Sequence, residues 1–206
     1  MKSKRKVIGN TVIISGIVLL LCAGGLFVYN MNASNEQARV AGDLVARVRN
    51  EIEASSETTY VEDEEPIMQE VSEQLSFAPV EIDGLSYDGY LTIPSLELEM
   101  AVFDTWNDDL LRKSLCRYYG SPATDDFIIA GHNYASGFGK LKDISVGDEV
   151  YFTDMNGNVI RYKVELIEII GGTDISRMIE SDWDLSLYTC TYGGSDRLTV
   201  RCNSEE

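Results

Sequence analysis

Residues 187–202 read LYTCTYGGSDRLTVRC, and the fold turns on how this stretch is parsed. Two runs rich in β-branched, aromatic and aliphatic residues, 185–190 and 197–202, have the composition of strands. Between them Thr191, Tyr192, Gly193, Gly194, Ser195 and Asp196 form a turn-type spacer whose glycines tolerate positive φ. The resulting hairpin sets Cys190 at the end of one strand and Arg197 at the start of the next, so that thiol and guanidinium face the same spot. A lone cysteine in a strand is ordinarily core filler. Its company decides between filler and reactive group.

Upstream, residues 148–154 and 159–170 predict a second hairpin around Asn156-Gly157, the strongest short turn signal in the chain. Residues 126–130 (DFIIA) read as a buried strand that runs directly into Gly131-His132-Asn133-Tyr134. Residues 89–94 (GYLTIP) and 96–103 are further strands, 138–144 a turn of helix, and 171–184 a loop with one helical turn. Residues 107–119 (NDDLLRKSLCRYY) read as a short helix, acidic at its start and basic toward its end as the helix dipole favours, stopped by Gly120-Ser121-Pro122. Seven or eight short strands with little helix predict a mostly β fold, a closed or nearly closed barrel over residues 77–206. A domain of about 130 residues buries roughly two-thirds of its unfolded surface, enough for one core without staples.

The N-terminus is of another kind. MKSKRK holds four cations and no acid, and a 23-residue apolar stretch follows from Val7 to Tyr29. At about 1.5 Å per residue such a helix reaches roughly 35 Å, enough to cross a hydrocarbon core of about 30 Å. The basic flank keeps the N-terminus cytoplasmic and sends the rest across. A cleaved signal peptide would need a shorter apolar core and small residues before the cut, and 30–34 match poorly. A lipid on Cys22 would need a small residue before it, where Leu21 stands. Residues 35–54 favour helix, with Val40, Leu44, Val45, Val48 and Ile52 at spacings near four and Ser34 or Asn35 as cap. Residues 55–74 are acidic and read as a stalk or linker. The expected organisation is a basic tail (1–6), a transmembrane anchor (7–29), a helical and acidic stalk (30–76) and a β-barrel (77–206).

Charge narrows the partners. The chain has 17 Lys and Arg against 34 Asp and Glu, and without the four N-terminal cations 13 face all 34 acids. Such a surface repels a phosphate backbone and excludes nucleic acid as a partner. Four cysteines are disulfide material outside the cytoplasm, but Cys22 lies in the anchor, leaving an odd three. At least one thiol stays free within the chain.

His132 is the single histidine, so any Cys–His chemistry uses it; a structural histidine at a strand end is the plain alternative. Cys190, His132 and Arg197 all fall at strand ends, where reactive groups are displayed. A thiol of pKa about 8.5 is only about 3% thiolate at pH 7, so a cationic neighbour is needed to raise that fraction. His also hands a proton to a leaving amine, and Arg stabilises a carbonyl oxygen that turns negative.

Leu187-Tyr188-Thr189-Cys190 followed seven residues on by Arg197, with Gly131-His132-Asn133 after an upstream strand and Tyr90-Leu91-Thr92-Ile93-Pro94 before it, resembles the sortase family over residues 88–202. Sortases are membrane-anchored cysteine transpeptidases of Gram-positive bacteria with an eight-stranded β-barrel. The resemblance implies Cys190 as nucleophile, His132 as general acid and then base, and Arg197 as the group holding the substrate carbonyl or oxyanion. Arg201 is its rival: alternation puts it on the same strand face but about 13 Å further along. Thr189 either binds substrate or packs. The implied reaction cleaves an LPxTG-like C-terminal sorting signal of a surface protein after its Thr. It forms a thioacyl enzyme and passes the acyl group to an amine of a peptidoglycan precursor or a pilin lysine. Thr191-Tyr192-Gly193-Gly194 and Gly-His-Asn are similar to class B enzymes, whereas the 171–184 segment is too short for the long extra helix of class B, with class D the nearest alternative; the stalk lacks the lid motif of pilus sortases.

No cofactor and no metal site is expected; paired acids such as Asp125-Asp126 and Asp148-Glu149 lack regular Ca²⁺-loop spacing. Trp106 and Trp183 read as packing residues, and Cys116 (on the expected helix) and Cys202 as core. An L,D-transpeptidase would also use His, Cys and Arg, but its usual run around the cysteine is missing. The reading from another class is an anchored, non-catalytic β-barrel that binds a surface partner, with Cys190 buried and inert.

Overall fold

The computed structural model describes residues 2–58 and 77–205; the acidic stretch expected as linker falls largely outside them. The chain forms helix α1 (Lys2–Thr58) and a compact unit that begins at Gln37 within it. Up to Glu36, α1 contains an apolar window of mean hydropathy 2.5 with no side chain buried, long enough to cross a membrane. Ser34 and Asn35 lie inside α1 rather than at a helix start, because the helix runs through them unbroken.

Nine strands follow: β1 (Val80–Ile82), β2 (Leu85–Ile93), β3 (Leu98–Phe103), β4 (Leu115–Tyr119), β5 (Phe127–Ala130), β6 (Glu149–Asp154), β7 (Val159–Gly171), β8 (Leu185–Cys190) and β9 (Asp196–Ser204). They are neighbours in the order β1-β2-β3-β4-β5-β8-β9-β7-β6, and an added β2–β6 pairing closes β2 to β9 into an eight-stranded barrel. β1 is a short hairpin partner outside that circle. β3–β4 and β5–β8 are parallel and the other pairs antiparallel, so the barrel is mixed.

Closure depends on Gly89. At φ 145° it registers with Asp154 across the β2–β6 seam, and an added Cβ would fall 1.9 Å from the Thr153 carbonyl oxygen. Only a residue without Cβ lets the two backbones meet there. The Asn156-Gly157 turn joins β6 to β7, with the buried Asp154 carboxylate accepting from the backbone of Asn156 (2.9 Å) and Asn158 (2.8 Å).

The barrel is filled by Leu91, Ile93, Val102, Phe127, Ile129, Phe152, Leu187 and Val200, each essentially without exposure. Burying each such side chain contributes about 1.5–3 kcal/mol. A second layer lies outside the wall, where Leu44, Val45 and Val48 of α1 pack on Tyr87, Ala101, Phe103 and Met155. The i, i+4 stripe read from the sequence is therefore a covering for the barrel's outer face. β5 is buried on both faces, which is why DFIIA shows no polar alternation.

Residues 107–119 depart from the expected helix. Asn107 caps only the four-residue α2 (Asp108–Leu111), its Oδ1 accepting from Leu110 N at 2.9 Å. Residues 115–119 instead form β4, bonded to β3 on one side and β5 on the other. Cys116 thus sits on a strand, buried beside Ala130. Two waiting strand edges outweigh a modest local helix preference. Between β7 and β8 the only helix is α3 (Ile175–Ile179), five residues long.

Candidate active site

Cys190 is the last residue of β8 and is half-buried. Its partner across the final β8–β9 rung is Arg197. Residues opposite each other in an antiparallel pair share a face with Cβ atoms about 5 Å apart, so thiol and guanidinium stem project together. The Arg197 Nη1 donates to the carbonyls of Gly194 (3.0 Å) and Asp196 (3.1 Å), which holds the head against its own turn. Gly172 accommodates it: a Cβ there would lie 3.1 Å from Nη1 and 2.5 Å from the Ser195 carbonyl oxygen.

His132 reaches the same end of the barrel through β5. β5 and β8 run parallel, and their last rung pairs Ala130 with Tyr188. Beyond it Gly131 N donates to the Tyr188 carbonyl (3.1 Å), and the buried Thr189 Oγ1 donates to the Gly131 carbonyl (2.8 Å). The clamp ties the residue before His132 to the residue before Cys190. Thr189 is thereby engaged by the protein itself, with hydroxyl lone pairs still able to accept. A Cβ on Gly131 would come within 2.6 Å of the Phe138 ring, and one on Gly139 within 2.5 Å of the Tyr134 carbonyl oxygen, so both glycines set the close path of the 131–139 loop. Gln37 of α1, buried, accepts from Ser136 Oγ at 3.3 Å and braces the loop from outside.

The His132 imidazole is half-buried and 5.2 Å, centroid to centroid, from the Tyr134 ring. Its pKa is lowered from the ordinary value, first by desolvation and second by the Arg112 guanidinium; Asp108 opposes them. Near neutral pH the ring is therefore mostly uncharged. The other thiols of the compact unit differ in kind. Cys116 and Cys202 are free and fully buried, and burial pushes both up to about 12. They are inert at neutral pH, and the bond between them weighed from the sequence is not formed.

Arg201 has a different task. It is 1% exposed, and donates from Nε to Glu168 Oε1 (3.0 Å), from Nη1 to Ser186 Oγ (2.7 Å) and from Nη2 to the Arg177 carbonyl (2.7 Å). Its fork pins α3 to the barrel wall. The paired acids also have structural uses: Asp148 accepts from Ser95 Oγ (2.8 Å) and Ser145 N (3.0 Å), and Asp126 from Ser121 N (3.2 Å). Among the described residues no three of His, Cys, Asp and Glu converge as metal ligands.

A cavity of about 290 Å³ opens beside the thiol. Asn133, Lys142, Ile169, Tyr192 and Leu198 line it together with Cys190, and the Thr189 side belongs to its wall. Of these, Lys142, Ile169 and Leu198 carry no motif signal in the sequence; the 138–143 turn brings Lys142 to the thiol, β7 brings Ile169, and Leu198 stands opposite Thr189 on β9.

A half-buried strand-end thiol, an arginine on the same rung and the single histidine clamped to the neighbouring strand, at one end of a closed eight-stranded mixed barrel, define a sortase-type β-barrel. The sortase-domain family model matches residues 91–205, more than half of the chain, and the chain belongs to the sortase family. Among solved structures it is similar to sortase C1 of Streptococcus agalactiae in complex with MTSET, at 23% identity and TM-score 0.50, covering 57% of this chain and 67% of that one. It is also similar to a Clostridium perfringens sortase D5 transpeptidase, at 17% identity and TM-score 0.58 over 82% and 99% of the two chains. A third similar structure is sortase C of Streptococcus pneumoniae, at 21% identity and TM-score 0.54 over 78% and 89%. At these identities the likeness establishes the fold. Comparison with curated proteins gave no match.

Proposed function

We propose that the chain is a membrane-anchored cysteine transpeptidase that cleaves an LPxTG-like sorting signal after its Thr and transfers the acyl portion to an amine. The observation that carries this reading is the clamp: Gly131 N to Tyr188 O, Thr189 Oγ1 to Gly131 O and the Cys190–Arg197 rung gather thiol, imidazole and guanidinium at one barrel end. His132 takes the Cys190 thiol proton as the sulfur adds to the scissile carbonyl, forming the C–S bond and pushing negative charge onto oxygen, where Arg197 N–H groups stabilise it. Collapse of the adduct breaks the C–N bond while His132 protonates the departing amine. In the second half His132 takes a proton from the incoming amine, whose nitrogen displaces the thiolate. The donors are surface proteins with C-terminal sorting signals, and the acceptor is a peptidoglycan-precursor amine or a pilin lysine. The organisation proposed is a cytoplasmic basic tail (1–6), a single-pass anchor (7–29), a stalk (30–76) and an extracytoplasmic catalytic barrel (77–206).

The test incubates the full-length protein in detergent micelles, beside Cys190→Ala, with LPxTG- and NPxTG-like peptides and with glycine-based, lysine-like and diaminopimelate-type amines. The expected result is cleavage after Thr and a new amide, both lost in Cys190→Ala. A folded wild type that processes no peptide, with Cys190 resistant to iodoacetamide, would support the non-catalytic binding module instead.

A further inference from the structure

The proposal starts from where the cations of an acidic protein go. Seven of the thirteen arginines and lysines of the compact unit are tied to carboxylates: Arg39 to Asp43, Arg47 to Asp83, Arg49 to Glu99, Arg117 to Asp88, Lys163 to Glu205, and Arg177 and Arg201 to Glu168. Among the described residues Arg112, Lys113, Lys140, Lys142, Arg161 and Arg197 have no carboxylate within ion-pair distance. Three of these, Arg112, Lys142 and Arg197, stand at the thiol end. Arg197 stands on the Cys190 rung, Arg112 is close enough to His132 to act on it electrostatically, and Lys142 lines the same cavity as Cys190. In a chain with twice as many acids as bases, three unpaired cations gathered at one end make the mouth a local positive field in a negative surface.

Lys142 is the member free to select. Arg197 is bonded to its own turn, whereas Lys142 is an exposed residue that lines the cavity together with Ile169 and Leu198. A volume of 290 Å³ corresponds to a space about 8 Å across, so a residue acylating Cys190 brings its immediate neighbours within reach of the ammonium. Resting on the transpeptidase reading, we infer that Lys142 is a specificity-determining residue that selects acyl-donor peptides with an acidic side chain at the variable position beside the scissile Thr. The apolar walls take the flanking aliphatic part of the signal, and the ammonium pairs with the acid at the rim, where it acts mainly on selection between signals.

Two readouts test it, one of which needs no turnover. The first is alkylation of Cys190 in the full-length protein in detergent micelles, read by peptide mass, with iodoacetate against iodoacetamide. Both reagents form an S–CH₂ bond with loss of iodide and differ in charge. The ratio of the anionic to the neutral reagent's rate is expected to fall about three- to tenfold in Lys142→Glu relative to wild type, and the difference to shrink at high salt. The second is competition among LPETG, LPQTG and LPKTG peptides. Wild type is expected to prefer Glu over Lys by about three- to tenfold, and Lys142→Glu to reverse the order. Equal reagent ratios in the two proteins overturn the proposal even where no peptide is processed, and so does a Glu preference that survives Lys142→Glu. Failure to process any peptide alongside a shifted reagent ratio would instead count against the transpeptidase reading while leaving the anion-selective mouth standing.

Discussion

Arg197 and Arg201 lie on one strand and, by alternation, on one face, yet their surroundings divide their roles. Arg201 is enclosed beneath α3 and all its bonds are internal, while Arg197 stays half-exposed opposite the thiol. Sequence spacing was enough to favour Arg197, because only it shares the terminal rung. What Arg201 does was not legible, since its partner Glu168 comes from a different strand, β7, and the β7–β9 register cannot be read from local pattern. The same holds for the tuning of His132. Arg112 lies 20 residues upstream with two strands, β4 and β5, between, and only the fold brings it near. Arg112→Gln removes a cation that disfavours the imidazolium, so the His132 midpoint should rise; Asp108→Asn removes an anion that favours it, so the midpoint should fall. His132 is the only histidine, and NMR titration of its ring signal in histidine-labelled protein reads both shifts without assignment. Movement in the opposite sense in either variant would refute this electrostatic account. The acid limb of the rate profile should move with the midpoint.

Elements fixed by backbone chemistry were the legible ones. Asn156-Gly157 marked the β6–β7 hairpin, and DFIIA running into Gly-His-Asn marked β5 and the loop after it. Residues 107–119 were misleading because capping residue, acidic first turn and basic end all favour helix, whereas the strand β4 is selected by pairing with β3 and β5. Gly89 belongs to the same class of tertiary demand. As one residue of a strand-like run it looked incidental, but it is the point where β2 meets β6. Gly89→Ala should destabilise the barrel by about 3 kcal/mol or more, since positive φ and a backbone clash combine. Chemical denaturation of the variant beside wild type measures this; a loss under about 1 kcal/mol would mean that the seam yields more easily than its geometry indicates.

At the scale of the whole molecule, the helical part of the expected stalk turns out to be a wall of the globular unit. Val48 is fully buried against the outer layer of the barrel, with Leu44 and Val45 beside it. The periodicity was visible in the sequence, but its target was not, because a stripe on a helix names no partner. Val48→Asp places a charge in that layer and should cost about 3 kcal/mol or more. Cys190, His132 and Arg197 sit at the barrel end, so the loss should show in denaturation before it shows in the reactivity of Cys190. A Val48→Asp protein as stable as wild type would mean that the helix only lies beside the barrel.

The central claim is that Cys190 carries the acyl group between two substrates, and a single-turnover chase addresses it directly. Full-length protein in detergent micelles is mixed with an LPETG-type peptide, the intact mass is followed, and amine is then added. The account predicts an adduct of the N-terminal peptide fragment on wild type and none on Cys190→Ala. Slower formation is expected in His132→Ala and Arg197→Ala, with discharge to a new amide when the amine arrives. Cleavage with no Cys190-linked intermediate, or an adduct that forms equally well in Cys190→Ala, would contradict it.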